Sequence, residues 1–376
     1  MKTAFLYSDD FVKFDYGPDH PLKIFRLELT RDLIGSFGLL SPELTKIVAP
    51  QPAAEEDLLF FHEAGYIEML KAVNAGRSMP GAAYFGLGPG DNPVFKGLFD
   101  WSRLVAGASL QAALMVESGE VDVAFNIAGG LHHALAARAS GFCYLNDPVI
   151  AIMALLRKGR KVAYVDIDAH HADGVQEAFY ETNRVLTISL HETGRTLFPG
   201  TGFEEEIGEG EGRGFSLNVP LPPYSDDELF LSAFDRIVPE AIGTFRPDVV
   251  VSQLGVDSFR SDPLTHLNYT TNGFCEAVKK IKSLSAKWVA LGGGGYDVAN
   301  VARAWALAWG IMNDVDLADE LPEDFRLHHG GPGIFPSKMR DEPYAVTGSE
   351  KERMREEVER VVARLREKAF PLLGYR

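Results

Sequence analysis

Eight short runs of apolar, β-branched or aromatic residues recur along this chain with helical stretches between most of them, and that alternation constrains the fold more than any other feature. The runs fall at 4–7, 45–48, 123–126, 162–168, 185–190, 215–219, 248–254 and 288–291, each of strand length. Helical segments such as 104–117 and 227–244 separate them. Strand–helix alternation builds βαβ units, which give a mostly parallel sheet with helices on both faces. The runs continue at similar spacing almost to the end of the 376 residues, so one α/β domain over 1–376 is expected rather than the two or three that length alone suggests. A tail helix at 349–373 carries Met354, Val358, Val361 and Leu365 on one face and is expected to pack on that domain, with an oligomer contact as the alternative.

In open parallel sheets the binding crevice lies at the carboxyl ends of the strands, so chemically unusual residues should follow strands. They do. The run at 162–168 leads into Asp166-Ile167-Asp168-Ala169-His170-His171-Ala172-Asp173-Gly174. Alternation places Asp166 and Asp168 on one side, and a turn at Gly174 folds His170 and Asp173 back towards them. Carboxylates crowded there as bare buried anions would protonate, so a cation is the natural compensation. One Asp, one His and a carboxylate from elsewhere make a three-ligand divalent site with positions open for water and substrate. The alternative is a strand-to-helix turn with solvated or paired charges.

Other strand ends supply partners. The third run is followed by Ala128-Gly129-Gly130-Leu131-His132-His133, adjacent histidines that each need a group to fix the tautomer; Asp166 and Asp173 are available. Next comes Gly141-Phe142-Cys143-Tyr144-Leu145-Asn146-Asp147, in which Tyr144 reads as core. The seventh run leads to Asp257, placed where a third ligand is wanted, although an Asp after a strand is also a common helix cap. The eighth opens into Gly292-Gly293-Gly294-Gly295-Tyr296. No Lys-Ser or Lys-Thr follows, so a phosphate loop is excluded and the glycines suit a backbone that carries the Tyr296 hydroxyl into the cleft. The turn Pro89-Gly90-Asp91-Asn92-Pro93 presents Asp91 either as a grip on a substrate backbone or as plain turn chemistry. Phe198 sits on a loop near the same rim, and the glutamate- and glycine-rich stretch 204–214 reads as a solvated loop.

A formal charge of −16 argues against nucleic-acid binding and would draw cationic peptides or polyamines, or simply aid solubility. Cys143 and Cys275 are the only cysteines, too few for a disulfide framework or a thiolate metal site. With no signal-peptide core and no run of membrane-spanning length, a cytoplasmic protein without membrane association is expected.

The motifs just quoted resemble, in order and from about His20 to Trp309, the zinc-dependent histone deacetylase superfamily, with class I enzymes and bacterial acetoin-utilisation deacetylases the most similar. The resemblance implies an arginase-like fold, Zn2+ on Asp168, His170 and Asp257 (Fe2+ being an option for such ligands), the pairs His132–Asp166 and His133–Asp173, and Tyr296 polarising the substrate carbonyl. It implies a structural K+ or Na+ near Asp166, Asp168, His170, Ser189 and Leu190, and a second near Phe179, Thr182 and Val185. Gly141, Phe142, Phe198, Leu264 and Gly294 would line the substrate tunnel, Asp91 would hold the substrate backbone, and Arg26 is linked to acetate release. The implied activity is removal of acetyl groups from lysine side chains of an acetylated protein or peptide. An acetylpolyamine amidohydrolase is the near alternative and a non-catalytic acyl-lysine reader the remote one; tandem histidines and Tyr296 disfavour a two-manganese arginase chemistry. The number of subunits is left open by the sequence.

Overall fold

In the computed structural model, which describes residues 1–330 and 335–374, all eight runs are strands: β1 (Thr3–Leu6), β2 (Lys46–Val48), β3 (Val123–Asn126), β4 (Val162–Asp166), β5 (Val185–Glu192), β6 (Ser216–Leu221), β7 (Val249–Gln253) and β8 (Trp288–Leu291). They form one sheet in the order β2-β1-β3-β8-β7-β4-β5-β6, and every pairing between these strands is parallel. The expectation of a mostly parallel sheet is thereby sharpened to a wholly parallel one. Its interior strands are buried on both faces, which is why they read as unbroken Val/Ala/Leu runs rather than as alternating ones.

The two latest strands, β7 and β8, enter the middle of the sheet between β3 and β4. The carboxyl ends of these four central strands therefore converge, at the place where strand order reverses. Helices Leu98–Ser118, Asp147–Arg157, Asp227–Phe245, Thr271–Leu284 and Val298–Met312 pack on the sheet or on one another. Trp288 of β8 and Trp305 and Trp309 of the helix Val298–Met312 are fully buried anchors of this packing; a large apolar side chain so placed contributes about 1.5–3 kcal/mol relative to exposure.

Two expectations need correction. The tail is not one helix over 349–373: it runs Gly348–Lys368 and restarts as Phe370–Leu373, because Pro371 has no amide to donate to the preceding turn and is tolerated only in the first turn of a new helix. Its apolar face is buried as expected, Met354, Val358, Val361 and Leu365 being at most 8% exposed. The stretch 204–214 is not simply solvated. Glu206 accepts the amides of Gly202 (2.9 Å) and Phe203 (3.0 Å) and the Gln176 amide (2.7 Å), so it holds the rim loop in place. Tyr144, read as core, is fully buried.

Behind the crevice lie neutral buried histidines. His62 accepts the Asn146 amide on Nε2 (3.0 Å) and donates from Nδ1 to the Leu135 carbonyl (3.1 Å). Burial first of all lowers its pKa to about 4. His191, enclosed between Ser189 and the Gly202 carbonyl, is lowered to about 3, by burial and then by His171. The unfolded chain takes up these protons near pH 6.5 and the folded chain only well below it, so stability is full above 6.5 and falls as pH drops towards 4. At 1.36 kcal/mol per pKa unit, His62 alone contributes roughly 3 kcal/mol to this loss. Urea midpoints between pH 7.5 and 5 are expected to fall, and to fall less steeply in a His62→Gln variant.

Candidate active site

The site begins where β4 leaves the sheet, the Ile167 amide making a last bond to the Gln253 carbonyl of β7 (3.2 Å). After Asp166 the chain turns, and the Asp168 amide is captured by Asp166 Oδ1 (3.0 Å), an Asx-type turn that throws Asp168 and His170 forward. Asp168, His170 and Asp257 are all buried, with one donor atom of each within 4.8 Å of the others. His170 Nδ1 lies 3.1 Å from Asp168 Oδ1 and 2.9 Å from Asp257 Oδ2. The outer oxygens are spoken for: Asp168 Oδ2 accepts the Gln253 amide (2.6 Å) and Gly294 N–H (2.8 Å), and Asp257 Oδ1 accepts Ala169 N–H (2.8 Å).

Burial, then the neighbouring Asp168 charge, push Asp257 up to about 6. Two buried carboxylates and an imidazole nitrogen facing one point are short of positive charge, and a divalent cation fits them. Nothing bulkier than glycine fits around them: a Cβ on Gly255 would lie 2.2 Å from Asp168 Oδ2, and one on Gly294 2.1 Å from Asp257 Oδ2.

The tandem histidines arrive from the end of β3. The turn that carries them is fixed by Asp147, whose carboxylate accepts Gly130 N–H (3.0 Å) and Leu131 N–H (2.8 Å), while Asn146 caps the helix that starts at Asp147. His132 Nδ1 pairs with Asp166 (2.8 Å) and His133 Nδ1 with Asp173 (2.6 Å), and their Nε2 atoms lie 3.1 Å apart. The two rings differ in charge. Burial pulls the His132 pKa down, but Asp166 and Asp168 together outweigh it and carry it to about 9. Burial and the adjacent His132 lower that of His133. One ring is drawn towards the cationic form and its neighbour towards the neutral one.

Aromatic rings enclose the approach. Phe198, 44% exposed, stands 5.0 Å from the His133 ring, and Phe142 lies 5.7 Å from the Tyr296 ring, both edge to face. Phe142 has a left-handed backbone (φ 67°), an uncommon state for a bulky residue that is typical of a constrained site. Below these rings is a cavity of about 20 Å³ bounded by His132, His133, Asp168, His170, Tyr296 and Arg26, room for about one water. Arg26 is buried and donates to the carbonyls of Gly293 (2.7 Å) and Gly295 (2.6 Å).

A family model described as "Histone deacetylase domain" matches residues 20–312. The acetoin utilization protein AcuC of Bacillus subtilis is 41% identical over 350 residues, 90% of each chain. The chain belongs to the histone deacetylase family. Histone deacetylase 3 of Oryza sativa subsp. japonica is 41% identical over 334 residues, 88% of this chain; the chain spans 65% of that relative's length. Among solved structures, the crystal structure of a histone deacetylase homolog from Aquifex aeolicus covers 96% of this chain and all of its own, with 35% identity and a TM-score of 0.85. A homolog complexed with SAHA covers 97% of this chain and all of its own, at 34% identity and a TM-score of 0.88. The resemblance stated from the motifs is thus shown, and so is the arginase-like α/β fold.

Within this family fold the structure gathers His132, His133, Asp166, Asp168, His170, Asp173, Asp257, Gly294 and Tyr296 at one strand-end crevice. His171, second of its pair, points elsewhere and bonds Thr201 and Gln176. Ser189 lies on β5 beside the crevice, with its hydroxyl on His191 (2.8 Å). Phe179, Thr182 and Val185 lie at the opposite end of β5, a strand's length from the crevice. Asp91 is exposed, and its carbonyl, not its carboxylate, meets His20 (3.1 Å). Reading the sequence missed Gln253, Tyr164, whose hydroxyl donates to Asp166 (2.6 Å), and Tyr16, whose hydroxyl donates to the Phe142 carbonyl (2.7 Å). Their only signal was position: Tyr164 alternates with Asp166 on β4, and Gln253 is a lone amide closing an apolar strand.

Proposed function

We propose that this protein is a metal-dependent amidohydrolase that removes the acetyl group from acetyl-lysine side chains, releasing acetate. What supports it most is the joint arrangement of two His–Asp pairs, a buried Asp-His-Asp set and a tyrosine around one narrow cavity. Asp168, His170 and Asp257 would hold Zn2+ or Fe2+. When bound, such an ion supplies Lewis acidity towards the acyl oxygen and acidifies a water. His133, kept neutral, takes the proton from the attacking water and returns it to the leaving amine, with Asp173 fixing its tautomer. His132, held cationic by Asp166, orients the same water. The Tyr296 hydroxyl donates to the acyl oxygen as charge builds there.

Phe142 and Phe198, with Gly141, Leu264 and Gly294, form the tunnel wall for the acyl-lysine stem. A stem gains about 0.8 kcal/mol per buried methylene, and in the product the newly charged ammonium opposes this because its burial costs solvation. Asp91 grips the substrate backbone at the rim, and Arg26 attends acetate on its way out. Asp166, Asp168, His170, Ser189 and Leu190 would hold a K+ or Na+ that would offset charge at the β4 end, and Phe179, Thr182 and Val185 would hold a second. The acidic surface attracts a basic peptide segment, and it would equally attract an acetylated polyamine.

The test is turnover of an acetyl-lysine peptide beside an N-acetylpolyamine, before and after chelation and zinc restoration. Metal-dependent cleavage of the peptide is the expected result. Preference for the polyamine replaces the substrate and keeps the chemistry, and turnover of neither overturns the reading. Gly294→Ala, which sets a methyl against Asp257, is expected to weaken zinc about 10- to 100-fold by chelator competition.

A further inference from the structure

We propose that Asp262 is a positioning residue for Tyr296, acting through the tyrosine's own backbone amide. This inference rests on the reading of Tyr296 as donor to the acyl oxygen. Tyr296 ends a run of four glycines, and Gly293 and Gly295 both have φ of 144°, a conformation only glycine adopts without strain. No side chain in that run packs to hold the phenol, and such backbone is entropically free unless tied down.

The ties are few and specific. Val256 N–H donates to the Gly294 carbonyl (2.9 Å), Arg26 grips the two carbonyls described above, and Gly294 N–H is taken by Asp168. On Tyr296 itself, the one hydrogen bond among the described residues is from its amide to Asp262 Oδ2 (2.8 Å). The other oxygen of that carboxylate accepts Leu264 N–H (3.0 Å). Asp262 is 7% exposed, and its own amide is fixed on the Phe259 carbonyl (2.8 Å).

Its loop is braced on either side. The Thr265 hydroxyl donates to the Asp257 carbonyl. The Ser261 hydroxyl donates to Asp297 (2.8 Å) and accepts from the Asn300 amide (2.7 Å). One carboxylate thus locks the Tyr296 amide to a loop that also bears Asp257 and Leu264. The phenol is registered against the Asp-His-Asp set and the tunnel wall at the same time. Loss of that tie leaves the hydroxyl present but imperfectly placed, a misplacement that costs rate rather than substrate affinity.

The measurement is a double-mutant cycle on the full-length, zinc-loaded protein with an acetyl-lysine peptide, with zinc content and thermal midpoint followed alongside. Asp262→Ala is expected to lower kcat about ten-fold with KM nearly unchanged. Asp262→Asn keeps the shape but offers one acceptor oxygen where the carboxylate serves two N–H groups, so its kcat is expected to fall between those of the parent and Asp262→Ala. In a Tyr296→Phe background, where the hydroxyl is already gone, Asp262→Ala is expected to cost less than about two-fold further. An equal, additive loss in that background overturns the proposal, as does an Asp262→Ala variant with undiminished kcat. If Tyr296→Phe by itself leaves kcat intact, it is the underlying role of Tyr296 that fails, and the cycle separates the two cases.

Discussion

His133→Ala is expected to lower kcat about 10²- to 10⁴-fold with little change in KM, the range for removal of a positioned general base. The expectation follows from the asymmetry of the tandem pair. His132 sits between Asp166 and Asp168 and is drawn towards the cationic form, so it is a poor acceptor of a proton near neutrality. His133 has one carboxylate partner, full burial and a cationic neighbour, and all but the carboxylate keep it neutral. His132→Ala should therefore produce a different defect: loss of a fixed positive charge, with the pH profile displaced as well as lowered. Steady-state rates from pH 6 to 9 for the two variants would distinguish the roles, and equal, pH-independent losses would refute the assignment.

Asp257→Asn is expected to remove metal-dependent activity altogether while leaving the metal-free protein at least as stable as the parent. Asp257 and Asp168 repel each other at close quarters in full burial, and that repulsion is the reason a cation belongs between them. An amide relieves the repulsion yet offers a much weaker ligand. A ligand that binds the folded state at 100 times its Kd adds about 2.7 kcal/mol of stability, so zinc should raise the melting temperature of the parent and not of the variant. A variant with the parent's zinc-dependent shift would show that the ion is held elsewhere.

The placement of strands was legible because each buried strand is a short apolar run. Discrepancies are of one or two residues at the ends: β4 stops at Asp166 rather than 168 because the Asp166 side chain captures the Asp168 amide. Patterning also located the chemistry, since polar residues placed directly after apolar strands have no other reason to be there. The helix break at Pro371 and the seating of 204–214 by Glu206 were misread, the first because helical periodicity outlasts the helix, the second because a glutamate's partners are set by distant chain.

By itself the sequence determined a parallel α/β sheet, a strand-end crevice and the residue types to fill it, because burial periodicity and the order of motifs are local properties. Tertiary structure alone decided that β7 and β8 enter between β3 and β4. That choice brings Asp257 within reach of Asp168 and His170, although nearly ninety residues of chain intervene. It likewise decided that His170 points to the cluster and His171 away from it, and that Asp262 meets the amide of Tyr296. Contacts of this kind depend on which strand ends become neighbours, and neighbours are settled by the packing of the whole core.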